Sequence, residues 1–567
     1  MKDFALGLMR WWAGAGPVGA PGHLVSRWLF LRALGVIYFS VFYSLLFQIR
    51  GMLGPGGLLP AGSYLEEVAK VMGRARYWYA PTVFWLGSGN HALIALCWAG
   101  IIASGCLIFN FWPRLMLAVC FVCFLSFIAA AEDFAAYQSD GMLLGASFIS
   151  LFLAPRGWRP RWGEKEPPSR APLFLLCFLW FTIYFESGVA KYLGGDPAWR
   201  NLTAMNEYYQ NGPLPTWIGW YAHQLPDWCH EATAFLTLLT ELAVVWLLWF
   251  PRRAKILCFF VVTFIQLCII LTANYAFLNY LVVALGIFLL DDLFLIRFVP
   301  QRWAGGVRRS LDLPASPLWY AKLLESFSRG EKTPFGSSSE MPRLLEGEGQ
   351  NNLESEVARR GFFSVAGLSA KSVLLLWVFY AMFFLLIQHT SPRLPLPIEP
   401  VTALEPFRIA NSYGLFGRMT WFRYEIEFQG SSDGTNWVAY PFRYKPQGLD
   451  EAPGIYAPYQ PRFEWNLWFA SLATWRENPF VLRTEQQLLF NNPDVLALFR
   501  SNPFSSAPPK FVRSVIWQYW FTDRPTKRAT GQWWRREYRG LYAPVLERNP
   551  DHKIIVSEWP QTFIPPP

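Results

Sequence analysis

Arg423-Tyr-Glu-Ile-Glu-Phe-Gln-Gly430, followed by Ser431-Ser-Asp433-Gly434-Thr-Asn-Trp437, is where the chain changes character. Tyr424, Ile426 and Phe428 alternate with Arg423, Glu425 and Glu427, the period-2 pattern of a half-buried strand, and Asp433-Gly434 supplies the turn of a hairpin. From Asn411 onward the long apolar runs stop, cysteine is absent, and Trp, Tyr and Arg crowd into short segments between Gly, Pro and Asn. Trp465, Leu467, Trp468, Phe469, Leu472 and Trp475 predict a helix that is apolar around much of its surface. Leu488 to Phe499, broken by Asn-Asn-Pro, predicts two short helices. Residues 511–545 return to strand-like text, with Asp523-Arg-Pro as a turn. A folded α+β, β-rich domain over 400–567 is expected to hang from what precedes it.

What precedes it is a membrane protein. Of 567 residues 53% are hydrophobic and only 16% charged, too apolar for a soluble chain of this size. Apolar runs near 28–49, 91–112, 115–131, 140–154, 172–192, 232–250, 255–273, 277–298 and 372–389 approach the roughly 20 residues that cross a hydrocarbon core of about 30 Å. The fold class is a polytopic α-helical membrane protein, with about nine transmembrane helices and a C-terminal exoplasmic domain.

Charge placement gives the orientation. With a cytoplasmic N-terminal segment (1–27), the inside loops hold Arg114, then Arg156, Arg159, Arg161, Lys165 and Arg170, then Arg252, Arg253 and Lys255, whereas an outside loop holds Glu132, Asp133 and Asp140. Lys70, Arg74 and Arg76, in the first outside loop, are the exception. This positive-inside bias puts the C-terminal domain on the exoplasmic side, and it accounts for the net charge of +10 without a nucleic-acid partner. No cleaved leader is expected in residues 1–20, because the apolar stretch after Arg10 is short and Gly-rich. Residues 299–371, rich in Gly, Ser, Pro and Glu, read as a flexible cytoplasmic linker between a bundle (28–298) and a tethering helix (372–389).

Several phrases carry a resemblance: Asn411-Ser-Tyr-Gly-Leu-Phe-Gly417, Pro458-Tyr-Gln-Pro-Arg-Phe-Glu-Trp-Asn-Leu-Trp-Phe-Ala470, Asn502-Pro-Phe504, Pro508-Pro-Lys-Phe-Val-Arg513, Gly531-Gln-Trp-Trp-Arg535 and, in the membrane part, Gly57-Leu-Leu-Pro60 and 191–215. Together they resemble the lipase maturation factor family. The resemblance implies a non-covalent, chaperone-like maturation factor with no cofactor, whose partners are a lipase-like exoplasmic client and membrane lipid. It implies an endoplasmic reticulum membrane in a eukaryote, and the inner membrane with a periplasmic domain in a bacterium. Trp437, Trp465, Trp468, Trp533 and Arg535 are the client-binding candidates, since Trp and Arg dominate contact energetics, with burial in a core as the competing reading for each Trp. The basic set Arg524, Lys527, Arg528, Arg535, Arg536 and Arg539 fits an acidic client, lipid headgroups or a solvated face.

The intramembrane polar residues are Glu186, Lys191 and Glu241. An unpaired charge in lipid costs several kcal/mol, so each is expected to face the bundle interior. Glu186 and Lys191, five residues apart, diverge on one helix, which leaves Lys191 with Glu241 as the economical pair. Tyr184-Phe-Glu-Ser-Gly-Val-Ala-Lys191, with Asp196-Pro-Ala-Trp199 and Glu241, more distantly resembles the membrane region of vitamin K-dependent γ-carboxylases. That resemblance implies Lys191 as a catalytic base and, as an alternative function, a membrane enzyme acting on a quinone or lipid. The loop 132–140 lacks the histidine of that pattern, which favours a structural Lys191. No hydrolase, zinc-protease or phosphate-loop motif is present. His223, Cys229 and His230 lack a fourth ligand and paired spacing, so no metal site is assigned.

Overall fold

The computed structural model of the protein describes residues 2–14, 22–312, 350–391, 394–551 and 553–561. Among them, six helices are long and apolar enough to cross a membrane: Leu24–Leu46, Asn90–Ile108, Arg170–Leu193, Asp227–Trp249, Arg252–Thr272 and Val365–Thr390. Three of the expected spans are shorter. Pro113–Ile128 has 16 residues, Gln138–Leu151 has 14 and Leu278–Gly286 has 9. At about 1.5 Å per residue none of these reaches 30 Å as an α-helix. Asp140 in the first turn of Gln138–Leu151 explains one of them, because that end is built to meet a cation rather than lipid.

The charged ends are held by capping. Asp292 accepts from the backbone N–H of Leu24 (2.7 Å) and Val25 (2.8 Å), closing the start of Leu24–Leu46, while Asp291 pairs with Arg252. Much of the expected linker, 313–349, lies outside the described residues. What flanks it is helical: Gln301–Asp312 before it, and after it the single helix Gln350–Thr390 that contains the last apolar span. Lys371 Nζ donates to Ala13 O (2.7 Å) and Ser169 Oγ (3.1 Å), tying that helix to the N-terminal helix Lys2–Ala13 and to the bundle.

The C-terminal domain is a six-stranded antiparallel sheet. Its strands are β1 (Arg423–Ser431), β2 (Val438–Ala439), β3 (Phe511–Phe521), β4 (Trp534–Leu541), β5 (Val545–Arg548) and β6 (Ile554–Glu558). β1 and β3 pair along their length, from Arg423↔Tyr519 to Ser431↔Phe511. β2 folds back on β1 across the Asp433-Gly434 turn, where Asp433 accepts from the N–H of Thr435 and Asn436 (both 2.8 Å). On the other edge of β3, β4 and β5 occupy successive stretches. The helices Arg462–Ala470, Pro479–Leu489 and Pro493–Leu496 lie between β2 and β3 in the chain. The expected turn at Asp523-Arg-Pro is a helix, Arg524–Thr530, capped by Asp523 and closed by Gly531 at φ 77°.

β1 departs from the half-buried strand that its alternation suggests. Both faces are covered, and Arg423, Glu425 and Glu427 are at most 4% exposed. The charged face is neutral as a set: Glu425 pairs with Arg423 and with Lys445 (2.7 Å), and Arg423 also donates to the carbonyls of Gln210 (2.8 Å) and Pro213 (3.2 Å). Those two carbonyls belong to the membrane part. The apolar core likewise runs without a break from the bundle into the sheet, so the domain does not hang from a tether but sits on the bundle.

Glu464, on the helix under the sheet, accepts from the N–H of Arg443 (2.9 Å), Tyr444 (2.8 Å) and Lys445 (2.6 Å), yet burial pushes its carboxyl up to about 7. Burial also pushes the Glu485 carboxyl well above its ordinary range. With the folded value above the unfolded one, the stabilising contribution is complete at acid pH and is lost as pH rises from about 4.5 toward 7 for Glu464. Thermal stability in detergent is therefore expected to fall as pH rises from about 5 to 7. Glu464→Gln should remove about 1.4 kcal/mol per pH unit of that slope. An unchanged slope in the variant would contradict this assignment.

Candidate functional site

The last two turns of Arg170–Leu193 present Glu186, Ser187 and Lys191 at the end of the bundle that meets the sheet domain. Gly188 lets the neighbouring helix approach: a Cβ there would lie 2.9 Å from Glu241 Cβ. Lys191 Nζ reaches both carboxylate oxygens of Glu241 at 2.8 Å, and its third proton goes to the carbonyl of Leu415, also at 2.8 Å. The Trp199 ring lies 5.2 Å from the ammonium, and its indole N–H donates to Phe416 O (2.8 Å). Glu186 accepts from Tyr413 N–H (2.6 Å) and Ser412 Oγ (3.2 Å), Ser187 Oγ accepts from Leu415 N–H (3.2 Å), and Asp196 accepts from Met419 N–H (2.6 Å).

The segment 411–417 has no regular secondary structure, so its backbone groups need partners from elsewhere. Glu186, Ser187, Lys191 and Trp199 of the bundle supply several of those partners. Gly141 and Gly145, spaced by one helical turn, make the close approach possible: a Cβ would meet Asn411 Oδ1 at 2.5 Å from the first and Ile409 O at 2.7 Å from the second. The buried charges of the bundle and the 411–417 segment are therefore two halves of one junction.

A second patch completes it. Arg462 and Asp140, both at most 1% exposed in their side chains, form a two-pronged ion pair (2.7 and 2.8 Å), and Arg462 also donates to Phe134 O (2.8 Å). Asn274 accepts from the N–H of Tyr456 (2.7 Å) and Ala457 (3.0 Å) and donates to Gly454 O (2.9 Å). Gln48 Nε2 donates to Gln460 O (2.9 Å). Arg483 reaches Leu58 O (3.3 Å) and Asn492 reaches Gly56 O (2.8 Å), so the Gly57-Leu-Leu-Pro60 phrase is also read by the C-terminal domain.

This places the client-binding candidates. Trp465 (6% exposed) and Trp468 (9% exposed) are buried at the junction, Trp468 donating to Asn211 O (3.0 Å) and Trp465 packing tilted against Tyr137 at 5.4 Å. They are core. Trp437 and Trp533 are partly exposed and Arg535 is exposed. Arg513 lies over Trp437 (4.0 Å), Lys527 over Trp533 (3.7 Å) and Arg535 over Trp520 (4.7 Å). In the basic set, Arg536 also lies over Trp517 (4.0 Å) and bonds Glu427 (3.3 Å), and Arg539 Nε bonds Gln518 (2.9 Å). Much of that cluster is thus engaged within the sheet.

Beneath Leu415 and Phe416 the bundle encloses a cavity of about 300 Å³, lined among others by Tyr184, Lys191, Glu241, Gln266 and Asn279. A relay runs along its wall, Asn279 donating to Gln266 (2.6 Å) and Gln266 to the Tyr184 hydroxyl (2.9 Å). His223 packs tilted against Phe521 (5.5 Å), burial lowering its imidazole to about 4, and His230 packs on Tyr209 (5.7 Å). Among the described residues no three His, Cys, Asp or Glu side chains gather where a metal ion could be held.

Comparison with known proteins matches both parts. The lipase maturation factor transmembrane domain model covers residues 25–297, and the lipase maturation factor C-terminal domain model covers 409–544. Lipase maturation factor 2 of Gallus gallus is 31% identical over 92% of this chain and 81% of its own length. The Homo sapiens protein of the same name is 30% identical over 93% and 83%. Lipase maturation factor 1 of Bos taurus is 28% identical over 94% and 91%. No solved structure matches. Matched along both domains and over most of its length, the chain belongs to the lipase maturation factor family and is an integral membrane protein.

Proposed function

We propose that the chain is a membrane-anchored maturation factor that holds a secreted, lipase-like client non-covalently on the outer face of its sheet domain. The observation that carries this reading is the band Trp437, Arg513, Trp517, Arg536 and Tyr538, in which each arginine stacks on a ring, Trp517 meets Tyr538 at 5.3 Å, and Tyr538 is 48% exposed. Rigid stacked Trp, Tyr and Arg side chains lose little entropy on contact and suit the exposed apolar surface of an incompletely folded protein. The junction supports the reading from the other side. Lys191 has all three protons committed to Glu241 and Leu415, an arrangement that suits a structural cation better than a base, which must offer a lone pair.

The same geometry supports an exoplasmic orientation for the domain. The domain docks at the end carrying Gln48, Asp140, Lys191 and Asn274, while Arg114, Arg156, Arg159 and Arg161 lie at the other end, which the positive-inside rule assigns to the cytoplasm. The domain then faces the lumen of the endoplasmic reticulum in a eukaryotic cell and the periplasm in a bacterial one. Co-expression with a secreted lipase tests the face. Trp437→Ala/Arg513→Ala should lower the yield of active lipase about tenfold, the effect of losing one or two hot-spot contacts, with the abundance of the chain unchanged. An unaltered yield would remove this band from the reading.

A further inference from the structure

The opposite end of the bundle holds a second built site. Arg27, 1% exposed, pins the loop 155–166 by donating to the carbonyls of Glu166 (2.6 Å), Trp162 (2.7 Å) and Gly163 (3.0 Å). Trp162 Nε1 in turn donates to Trp303 O (2.9 Å), fastening the helix Gln301–Asp312 across the loop. Between them lies an open cavity of about 1100 Å³. Its lining joins apolar side chains, among them Leu29 and Leu295 from the bundle and Phe298, to Arg159 and Arg161 of the loop and Arg302 and Arg309 of the helix Gln301–Asp312, against the single acid Glu164. Trp28 also lines it, and one turn further along the same helix Arg32 stacks on the Trp28 ring at 5.2 Å. Arg32 is only 9% exposed, and its Nε and one terminal nitrogen have no hydrogen-bond partner.

We propose that this cavity binds an anionic phospholipid, its phosphate among the arginines and its acyl chains along the apolar side chains. Two buried guanidinium nitrogens without an acceptor, on Arg32 beside the lining ring of Trp28, are costly unless an anion reaches them, and four lining arginines against one carboxylate leave a surplus of positive charge that a zwitterionic headgroup does not balance. A free phosphate would use only the arginines. The lipid would bridge the loop 155–166 to the helix Gln301–Asp312, so the site is independent of the client face and of any role for Lys191.

Native mass spectrometry of the full chain in detergent, with phosphatidylglycerol, phosphatidylcholine or glycerol phosphate added, tests this. Phosphatidylglycerol is expected to be retained about tenfold more than phosphatidylcholine, and glycerol phosphate not to be retained. Arg161→Gln/Arg309→Gln should reduce phosphatidylglycerol to the phosphatidylcholine level, while Arg253→Gln/Arg308→Gln, the same loss of charge outside the cavity, should leave it unchanged. Arg32→Gln should lower phosphatidylglycerol retention and leave phosphatidylcholine as it was. Should the first double variant not fold, Arg309→Gln alone, on an exposed position, carries the comparison and is expected to lower retention. Equal retention of the two lipids, equal loss in both double variants, retention of glycerol phosphate as strong as that of the lipid, or no loss in any cavity variant would each overturn the proposal.

Discussion

Arg462→Met is expected to cost about 3–5 kcal/mol and to release the sheet domain from the bundle. The guanidinium answers both oxygens of Asp140 and the carbonyl of Phe134, and neither ionic side chain is more than 1% exposed. Removing it leaves a carboxylate sealed at the start of Gln138–Leu151 with nothing to neutralise it. The rings of Phe127 and Tyr137, which flank the guanidinium at 4.9 and 5.3 Å, cannot take over that role. Limited proteolysis should then cut near 411–422, a segment protected in the intact protein by its hydrogen bonds to the bundle. Arg462→Met/Asp140→Leu removes both charges and should recover most of the loss, since an apolar pair of similar volume often replaces a buried ion pair at little cost. Cleavage of the single variant no faster than wild type would contradict the role given to this pair.

Lys191 and Glu241 give the second large effect, and one that separates structure from chemistry. Lys191→Met leaves the Glu241 carboxylate and the Leu415 carbonyl without their donor and should destabilise by about 3–5 kcal/mol. Lys191→Met/Glu241→Leu should fold with stability within about 2 kcal/mol of wild type and keep its ability to mature a co-expressed lipase. A base at this position would make the same double variant folded but inactive. Unfolding and lipase yield, measured on one preparation of each variant, distinguish the two outcomes.

Much of the sheet domain is legible residue by residue. The alternation at 423–428 marks β1, Asp433-Gly434 marks the hairpin, and Asn491-Asn492-Pro493 marks the break between two helices. The Lys191–Glu241 pair also follows from the cost of an unpaired intramembrane charge. The docking does not. A period of two says which side chains share a face but not what covers that face, so Arg423, Glu425 and Glu427 read as solvated while all three are buried, Arg423 against the carbonyls of Gln210 and Pro213 and the two acids among basic partners. Trp465 and Trp468 fit a client surface or a core equally in sequence, because a helix apolar around much of its circumference does not say which sides are covered. Asn411 to Gly417 has no apolar period at all, because its contribution is made by backbone groups. Two features of the sequence that the predicted elements and sites leave unused bear on the junction: Gly141-Met-Leu-Leu-Gly145, the small-residue spacing of a close helix contact, and Asp140 as an acid at the mouth of an apolar run. Neither identifies its partner some 270 to 320 residues away in the chain.

The segment 411–417 locks the sheet domain onto the bundle as one body. A Cβ at Gly414 would lie 3.5 Å from the Cβ of Ala190, the separation of a disulfide's two Cβ atoms. Mild oxidation of Ala190→Cys/Gly414→Cys, with cleavage between the domains to reveal the link, is predicted to join them nearly completely while lipase maturation is retained. A domain that moves freely on its last helix would give little cross-link, or would lose maturation once cross-linked, and either result would contradict the account.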